Sequence, residues 1–319
     1  MSQTMKAAFY EGFGELTDEQ IKTGDLQKPE AGEGEVLIRI KAAGVNPVDA
    51  YAAMGMLKDA IPCHFPLIPG WDLAGVVEET GHAACRFKKG DEVYAYGRRP
   101  ELQHGTFAEY ISLSEAYLAK KPTKLSMNEA GALPLVGLTA WQALYDAGKL
   151  ESGQTVMIIG ASGGVGSVAI QLAKHTGARV IAIASEKNHA YMKELGADIT
   201  LDYSRDDIAD AVKDAADNGK LDLIFDCSRG DVLSKTHQLL KQGGHLVSIT
   251  NSKPERRDDV NFKYVFVEPN APQLEKMARL VDEGKLRIEV TKTYPLDKSA
   301  EALRDISKLH TKGKIVITP

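Results

Sequence analysis

The chain has 319 residues, more than one hydrophobic core usually serves, so two domains are expected. Its net charge of −5, with Lys and Arg dispersed, argues against nucleic acid or an anionic membrane as partner. No apolar run is long enough to span a bilayer, and acidic residues at Glu11 and Glu15 leave no secretory or transit signal.

The first part of the chain reads as β-rich, its short apolar runs separated by Gly and Pro. Val36–Ile40, Leu73–Val77 and Asp91–Ala95 are predicted strands of a compact, barrel-like fold. Near Ser126 the pattern changes. Leu133, Val136, Ala140 and Leu144 fall at helical spacing and predict one helix from Asn128 to Gly148. Strands and helices then alternate. Thr155–Ile159 is a strand and Gly166–His175 a helix; Arg179–Ala184 is a strand, followed by a helix through Glu194. Further strands are predicted at Ile199–Leu201, Leu221–Phe225 and His245–Ile249. Apolar strands alternating with helices predict a parallel sheet covered on both faces. The remainder gives a helix at Gln273–Glu283, a strand at Ile288–Val290, a helix at Ser299–Leu309 and a final strand at Lys314–Ile317.

Gly160-Ala-Ser-Gly-Gly-Val-Gly166 lies between a predicted strand and a predicted helix, the context a dinucleotide-binding turn requires. Gly160 permits the tight turn, Gly163 lets backbone N–H groups approach a pyrophosphate, and Gly166 allows close helix–strand packing. Ser162, Gly163, Gly164 and Val165 are the candidate contacts, with the positive end of the helix facing the anion. The end of the second strand selects the dinucleotide. Ser185 can hydrogen-bond a 2′-phosphate and Lys187, read as lying at the start of a helix, can supply positive charge, which favours NADPH. Glu186 dissents, since a carboxylate there can instead hold the ribose hydroxyls of NADH.

Cys63, Cys85 and Cys227 are scattered and odd in number, which fits small buried hydrophobes in a reducing cytoplasm rather than a disulfide framework. None of the eight histidines shows triad or metal spacing.

Four segments in order, Pro69–Val77 (PGWDLAGVV), Gly131–Trp141 (GALPLVGLTAW), the glycine turn and Gly313–Ile317 (GKIVI), resemble the quinone oxidoreductases of the medium-chain dehydrogenase/reductase superfamily. The resemblance runs over essentially the whole chain. It implies an α/β fold in which a Rossmann-type, doubly wound parallel sheet domain, 126–265, is inserted into a β-rich, GroES-like catalytic domain, 1–125 completed by 266–319. Matched motif to motif, the zinc ligands of the alcohol dehydrogenases in that superfamily fall on Asn46, Trp71 and Leu135, none of them a zinc-binding type. The four-cysteine structural zinc site is also missing between Gly97 and Ser112. His64 beside Cys63 has no further ligand nearby in sequence.

Without a metal to polarise a simple ketone, the favoured acceptors are electron-poor and conjugated, namely quinones, enones and enals. By resemblance Asn46–Tyr51 lines the active-site cleft. Tyr51 can donate its phenolic proton to the acceptor oxygen, contact the nicotinamide half of the cofactor or be a packed aromatic; Asn46 can supply an amide to acceptor or nicotinamide, and Asp49 can fix the loop. The resemblance further implies that Thr139 approaches the nicotinamide. It sets Tyr203 against the adenosine phosphate and the backbone of Ser248, Ile249, Thr250 and Asn251 against the carboxamide. The leading expectation is NADPH-dependent reduction of a small-molecule electrophile, a quinone or enone. Its rivals are a reductase of the alkenal or enone carbon–carbon double bond and a non-catalytic NADPH-binding sensor. A homodimer through sheet edges is left open.

Overall fold

Short β-branched and aromatic runs punctuated by glycine dominate the first third of the chain, and they fold accordingly in a computed structural model that describes residues 3–205, 207–309 and 311–319. The elements there are β1 (Thr4–Phe9), β2 (Lys22–Gln27), β3 (Glu35–Val45), α1 (Pro47–Ala53), β4 (Cys63–Ile68), β5 (Asp72–Thr80), β6 (Glu92–Tyr96), β7 (Leu102–His104), β8 (Tyr110–Ser114) and β9 (Leu118–Lys120). Two helices follow, α2 (Met127–Ala132) and α3 (Pro134–Trp141). The predicted single helix over 128–148 is therefore interrupted. Proline at 134 has no N–H to donate, so the hydrogen-bond ladder lapses there although Leu133 keeps helical φ −85° and ψ −36°, and beyond Trp141 the chain continues as a π turn, Gln142–Ala147.

The middle of the chain builds β10 (Thr155–Ile159), α4 (Gly164–Thr176), β11 (Arg179–Ile183), α5 (His189–Glu194), β12 (Ile199–Leu201), α6 (Ile208–Ala215), β13 (Leu221–Asp226), α7 (Val232–Thr236), β14 (Leu240–Ser248) and β15 (Asn261–Tyr264). The six strands form one parallel sheet in the order β12-β11-β10-β13-β14-β15. Each residue of β10 is buried, as expected of a strand covered on both faces. The chain ends with α8 (Ala271–Asp282), β16 (Val290–Pro295), α9 (Ser299–Ser307) and β17 (Lys314–Thr318). The strand expected at Ile288–Val290 begins only at its last residue.

Two units result. One comprises Met1–Leu135, Glu268–Gly284 and Ile288–Pro319, the other Val136–Val267 and Lys285–Arg287. The first division falls within α3 rather than at 125, because α2 packs on β3 and β5 and so stays with the β-rich unit. In that unit a seven-stranded sheet runs β16-β17-β3-β5-β6-β9, with β8 also paired to β3.

Register there decides which side chains meet. β17 pairs antiparallel with β3 so that Ile315 faces Val45, which brings Lys314 alongside Asn46. β3 pairs antiparallel with β5 with Ala42 opposite Ala74, which brings Asp72 alongside Gly44. Gly44 is needed at that crossing: a Cβ there would lie 2.5 Å from the Gly131 carbonyl and 2.9 Å from Asp72 Oδ2. Gly131, on the α2 side, has a matching constraint against Ala42.

Candidate active site

The sequence-predicted residues fall in two groups, one in each unit. In the parallel-sheet unit, β10 ends in the glycine turn. Gly160 takes φ +78°, a left-handed conformation that explains glycine there. Gly166 has no space for a side chain, since a Cβ would lie 2.5 Å from Ala161 Cα and closer still to the Gly160 carbonyl. Gly163 differs. It caps α4 with ordinary φ −74° and ψ 176°, and a Cβ there would meet only Gly160 O, at 3.4 Å. Glycine at 163 is thus not required by the protein's own packing. Gly163 N–H donates to Gly160 O at 3.2 Å, and Gly164 and Val165 follow in the first turn of α4, where the backbone N–H groups of a helix have no intrahelical acceptors.

Ser162 and Ser185 are brought together by a residue to which the sequence reading gave no role. Asn188 Nδ2 donates to Ser162 Oγ at 3.0 Å and to Ser185 Oγ at 3.2 Å, tying the glycine turn to the end of β11. A polar side chain three residues beyond Ser185 was the only signal for it. Lys187 and Glu186 are both exposed. Contrary to expectation Lys187 does not open a helix. It lies in a 3-10 turn, Glu186–Asn188, ahead of the short α5, so no helix dipole strengthens its charge. The turn is held by Asp202, whose Oδ2 accepts from Glu186 N–H at 2.6 Å and whose Oδ1 accepts from Ser204 N–H and Oγ. Hydrogen bonds from Ser204 hold that carboxyl below the usual range. Tyr203 beside it is half exposed, at 52%.

The carboxyl ends of β13 and β14 are joined by a second network. Buried Ser248 donates from Oγ to Asp226 Oδ2 at 2.8 Å and accepts from the N–H groups of Thr250 and Asn251. Thr250 Oγ1 donates to Ser228 O at 2.9 Å. Burial pushes the Asp226 carboxyl up, opposed by its hydroxyl and backbone donors. These bonds shape the turn after β14, and a cavity of about 270 Å³ beside it is lined by Asp226, Ser228, Arg229, Thr250, Asn251 and Pro254. Ile249 N–H donates to the Asp226 carbonyl. Thr139 is buried at 4% in α3.

In the β-rich unit, Asn46 precedes α1 and is 1% exposed. Its amide is committed on both sides. Nδ2 donates to Asp72 Oδ2 at 2.9 Å, and Oδ1 accepts from Lys314 Nζ at 2.5 Å. The amide expected to serve acceptor or nicotinamide is thus bonded within the protein, where it holds the fold of the site. Asp49, as expected, fixes the loop, Oδ2 accepting from Asn46 N–H at 2.8 Å. Two residues on, Tyr51 is partly exposed on α1. The other two positions matched to zinc ligands are filled by apolar packing. Trp71 is 6% exposed and meets Tyr96 edge to face at 6.0 Å, and Leu135 is 9% exposed. His64 pairs with Glu101 at 3.2 Å on the surface. No cluster of three His, Cys, Asp or Glu suited to a metal occurs among the described residues. An amide already bonded to an ammonium, an indole and a leucine do not fit zinc.

Two family models match the chain. An alcohol dehydrogenase GroES-like domain covers residues 32–123 and a zinc-binding dehydrogenase domain covers 195–317. An NADPH-dependent alkenal/one oxidoreductase of Arabidopsis thaliana is 33% identical over 99% of this chain and 80% of its own length. The chain belongs to the medium-chain dehydrogenase/reductase superfamily. A quinone-oxidoreductase homolog of Spinacia oleracea is 33% identical over 100% of the chain and 99% of its own length. Among solved structures, the quinone oxidoreductase from Coxiella burnetii superposes with a TM-score of 0.86 at 31% identity, covering 99% of this chain and 100% of that one. One of the two matching models is thus described as zinc-binding, whereas Asn46, Trp71 and Leu135 are not zinc-ligand residue types.

Proposed function

We propose that the chain is an NADPH-dependent reductase of quinones and related conjugated carbonyls that works without zinc. The observation that carries the reading is Asn46. Its amide is bonded to Lys314 and Asp72 at the position matched to a zinc ligand, which supports a reaction that does not rely on a Lewis acid to polarise a simple ketone. NADPH supplies the hydride when bound. The first turn of α4 binds the pyrophosphate, and Ser185, held in place by Asn188, takes the 2′-phosphate together with the exposed Lys187. Tyr51 places its hydroxyl at the acceptor oxygen, and the turn at Ser248–Asn251 orients the carboxamide.

A second reading, saturation of an enone carbon–carbon double bond, is favoured by relatives named for alkenals and for 2-methylene-furan-3-one. Product analysis separates the two, since one gives a hydroquinone and the other a saturated carbonyl. Initial rates of NADPH oxidation against a panel of quinones, enals and enones test both. Tight NADPH binding with no turnover on any of them would instead make the protein a sensor. Three free cysteines suit a reducing compartment, and cytoplasm is the reading they favour.

A further inference from the structure

Three ionisable side chains in the β-rich unit are almost inaccessible: Asp49 at 1%, Asp72 at 0% and Lys314 at 2%. An uncompensated charge at such depth is strongly destabilising, so the donors around each carboxyl decide its state. Asp72 is well supplied. Its Oδ1 accepts from Leu135 N–H at 2.7 Å, its Oδ2 from Asn46 Nδ2 at 2.9 Å, and Lys314 Nζ lies 3.7 Å away. Lys314 also donates to Val45 O at 3.0 Å and to Asn46 Oδ1. Asp49 has only Asn46 to support it, through its N–H on Oδ2 and more weakly its side chain, and its buried Oδ1 has no partner.

Among the described residues Lys314 is the cation that acts on both carboxyls, while Arg98 acts on the neighbouring Tyr96 hydroxyl. If both were ionised, the cluster would carry a buried net negative charge, with one carboxylate oxygen bare. A single retained proton restores neutrality, and Asp49 Oδ1 is the atom with no competing donor. The groups facing it agree. Burial pushes the Asp49 carboxyl above the ordinary range and the charge of Asp72 adds to that, while Asn46 N–H and Lys314 oppose it. Tyr10 and Tyr96 lie within electrostatic reach, and burial drives both hydroxyls up and keeps them neutral. Burial lowers Lys314 on balance, with Asp72 and Asp49 opposing, and burial raises the Asp72 carboxyl as well, opposed by Lys314, Asn46 and Leu135 N–H; deprotonating Lys314 would leave Asp72 with no counter-charge.

Beside Asp49 is a cavity of about 20 Å³, also lined by Tyr10, Leu67, Pro69 and Trp71. A single water needs roughly 10–15 Å³ and at least two polar partners. The Tyr10 hydroxyl, 0% exposed, has no protein partner either. We propose that Asp49 is a neutral carboxylic acid in the working protein, its proton on Oδ1, and that this acid and the Tyr10 hydroxyl together bind one water in that cavity. Asp49 is then a positioning residue that anchors the start of α1 through Oδ2 while remaining uncharged, and Asp72 is the one carboxylate that balances the charge of Lys314.

Linkage fixes the sign of the pH effect. An acid whose folded pKa is raised stabilises the fold fully below the unfolded carboxyl value of about 4, and that contribution is lost as pH rises through the folded value. Over that window the unfolding equilibrium shifts by about tenfold per pH unit for one proton.

The test needs no substrate, so its outcome is independent of the acceptor. In the wild type, ¹³C-labelled aspartate should give one carboxyl carbon that stays at the protonated chemical shift at about pH 7. Infrared spectra should show the matching protonated-carboxyl band, lost in Asp49→Asn and shifted in frequency in Tyr10→Phe. At neutral pH, Asp49→Asn should melt close to wild type and show a weaker alkaline decline, whereas Asp72→Asn, which strands Lys314, should melt much lower. All aspartates ionised at neutral pH in the wild type would overturn the proposal even if neither variant folds. Equal destabilisation by the two Asp→Asn changes would also overturn it, and an unchanged band in Tyr10→Phe would overturn the water.

Discussion

The glycine turn offers a test in which packing and ligand binding pull apart. Gly166→Ala places a methyl within 2.5 Å of Ala161 Cα, inside backbone that cannot rotate away. Overpacking of this kind costs about 1–3 kcal/mol, against which the better helix propensity of alanine returns up to about 1 kcal/mol. The melting temperature should fall by several degrees. Gly163→Ala places its methyl 3.4 Å from Gly160 O, an ordinary contact, with φ −74° already suited to alanine. Its cost to the fold is a weaker helix cap, about 1 kcal/mol at most. If a pyrophosphate lies over this turn, the same methyl blocks its approach and removes charge-assisted hydrogen bonds each contributing about 1.5–3 kcal/mol. The dissociation constant for NADPH should then rise roughly 10- to 100-fold. Thermal melts and NADPH fluorescence titrations on both variants are sufficient. Wild-type affinity in Gly163→Ala would refute the placement of the pyrophosphate on this turn.

Lys187→Ala should raise KM for NADPH several-fold and leave KM for NADH nearly unchanged, and added salt should shrink the wild-type preference because the lysine is exposed. Equal loss of both cofactors would instead assign the ribose to Glu186. Tyr51→Phe should lower kcat by about 10²-fold or more if its hydroxyl faces the developing oxyanion, with the melting temperature preserved. Unchanged kcat and KM for every good acceptor would leave it a packing role. Metal analysis of the purified protein should find no stoichiometric zinc, and a chelator should leave turnover unchanged; one zinc per chain, lost together with activity, would contradict the reading of Asn46.

What the sequence made legible and what it hid follow one physical division. Strands such as Thr155–Ile159 and Ile199–Leu201 and the turn at Gly160–Gly166 are set by local pattern, and local pattern is readable. The break in the helix near Pro134 was readable too, since proline dictates it, but an apolar spacing that runs across the break concealed it. The cluster around Asn46 is of another kind. Lys314 stands 268 positions from Asn46, and only the antiparallel register of β17 on β3 brings them together. In the sequence, Lys314 is a residue near the end of the chain and Asn46 an amide in a loop, so the asparagine reads as a ligand to something outside the protein. Once the ammonium and the Asp72 carboxylate are placed on either side of it, both ends of that amide are engaged within the protein. If α1 acts on the acceptor through Tyr51, as proposed, the Asn46 cluster serves by holding the start of that helix in place, and the Tyr51→Phe assay separates the two roles.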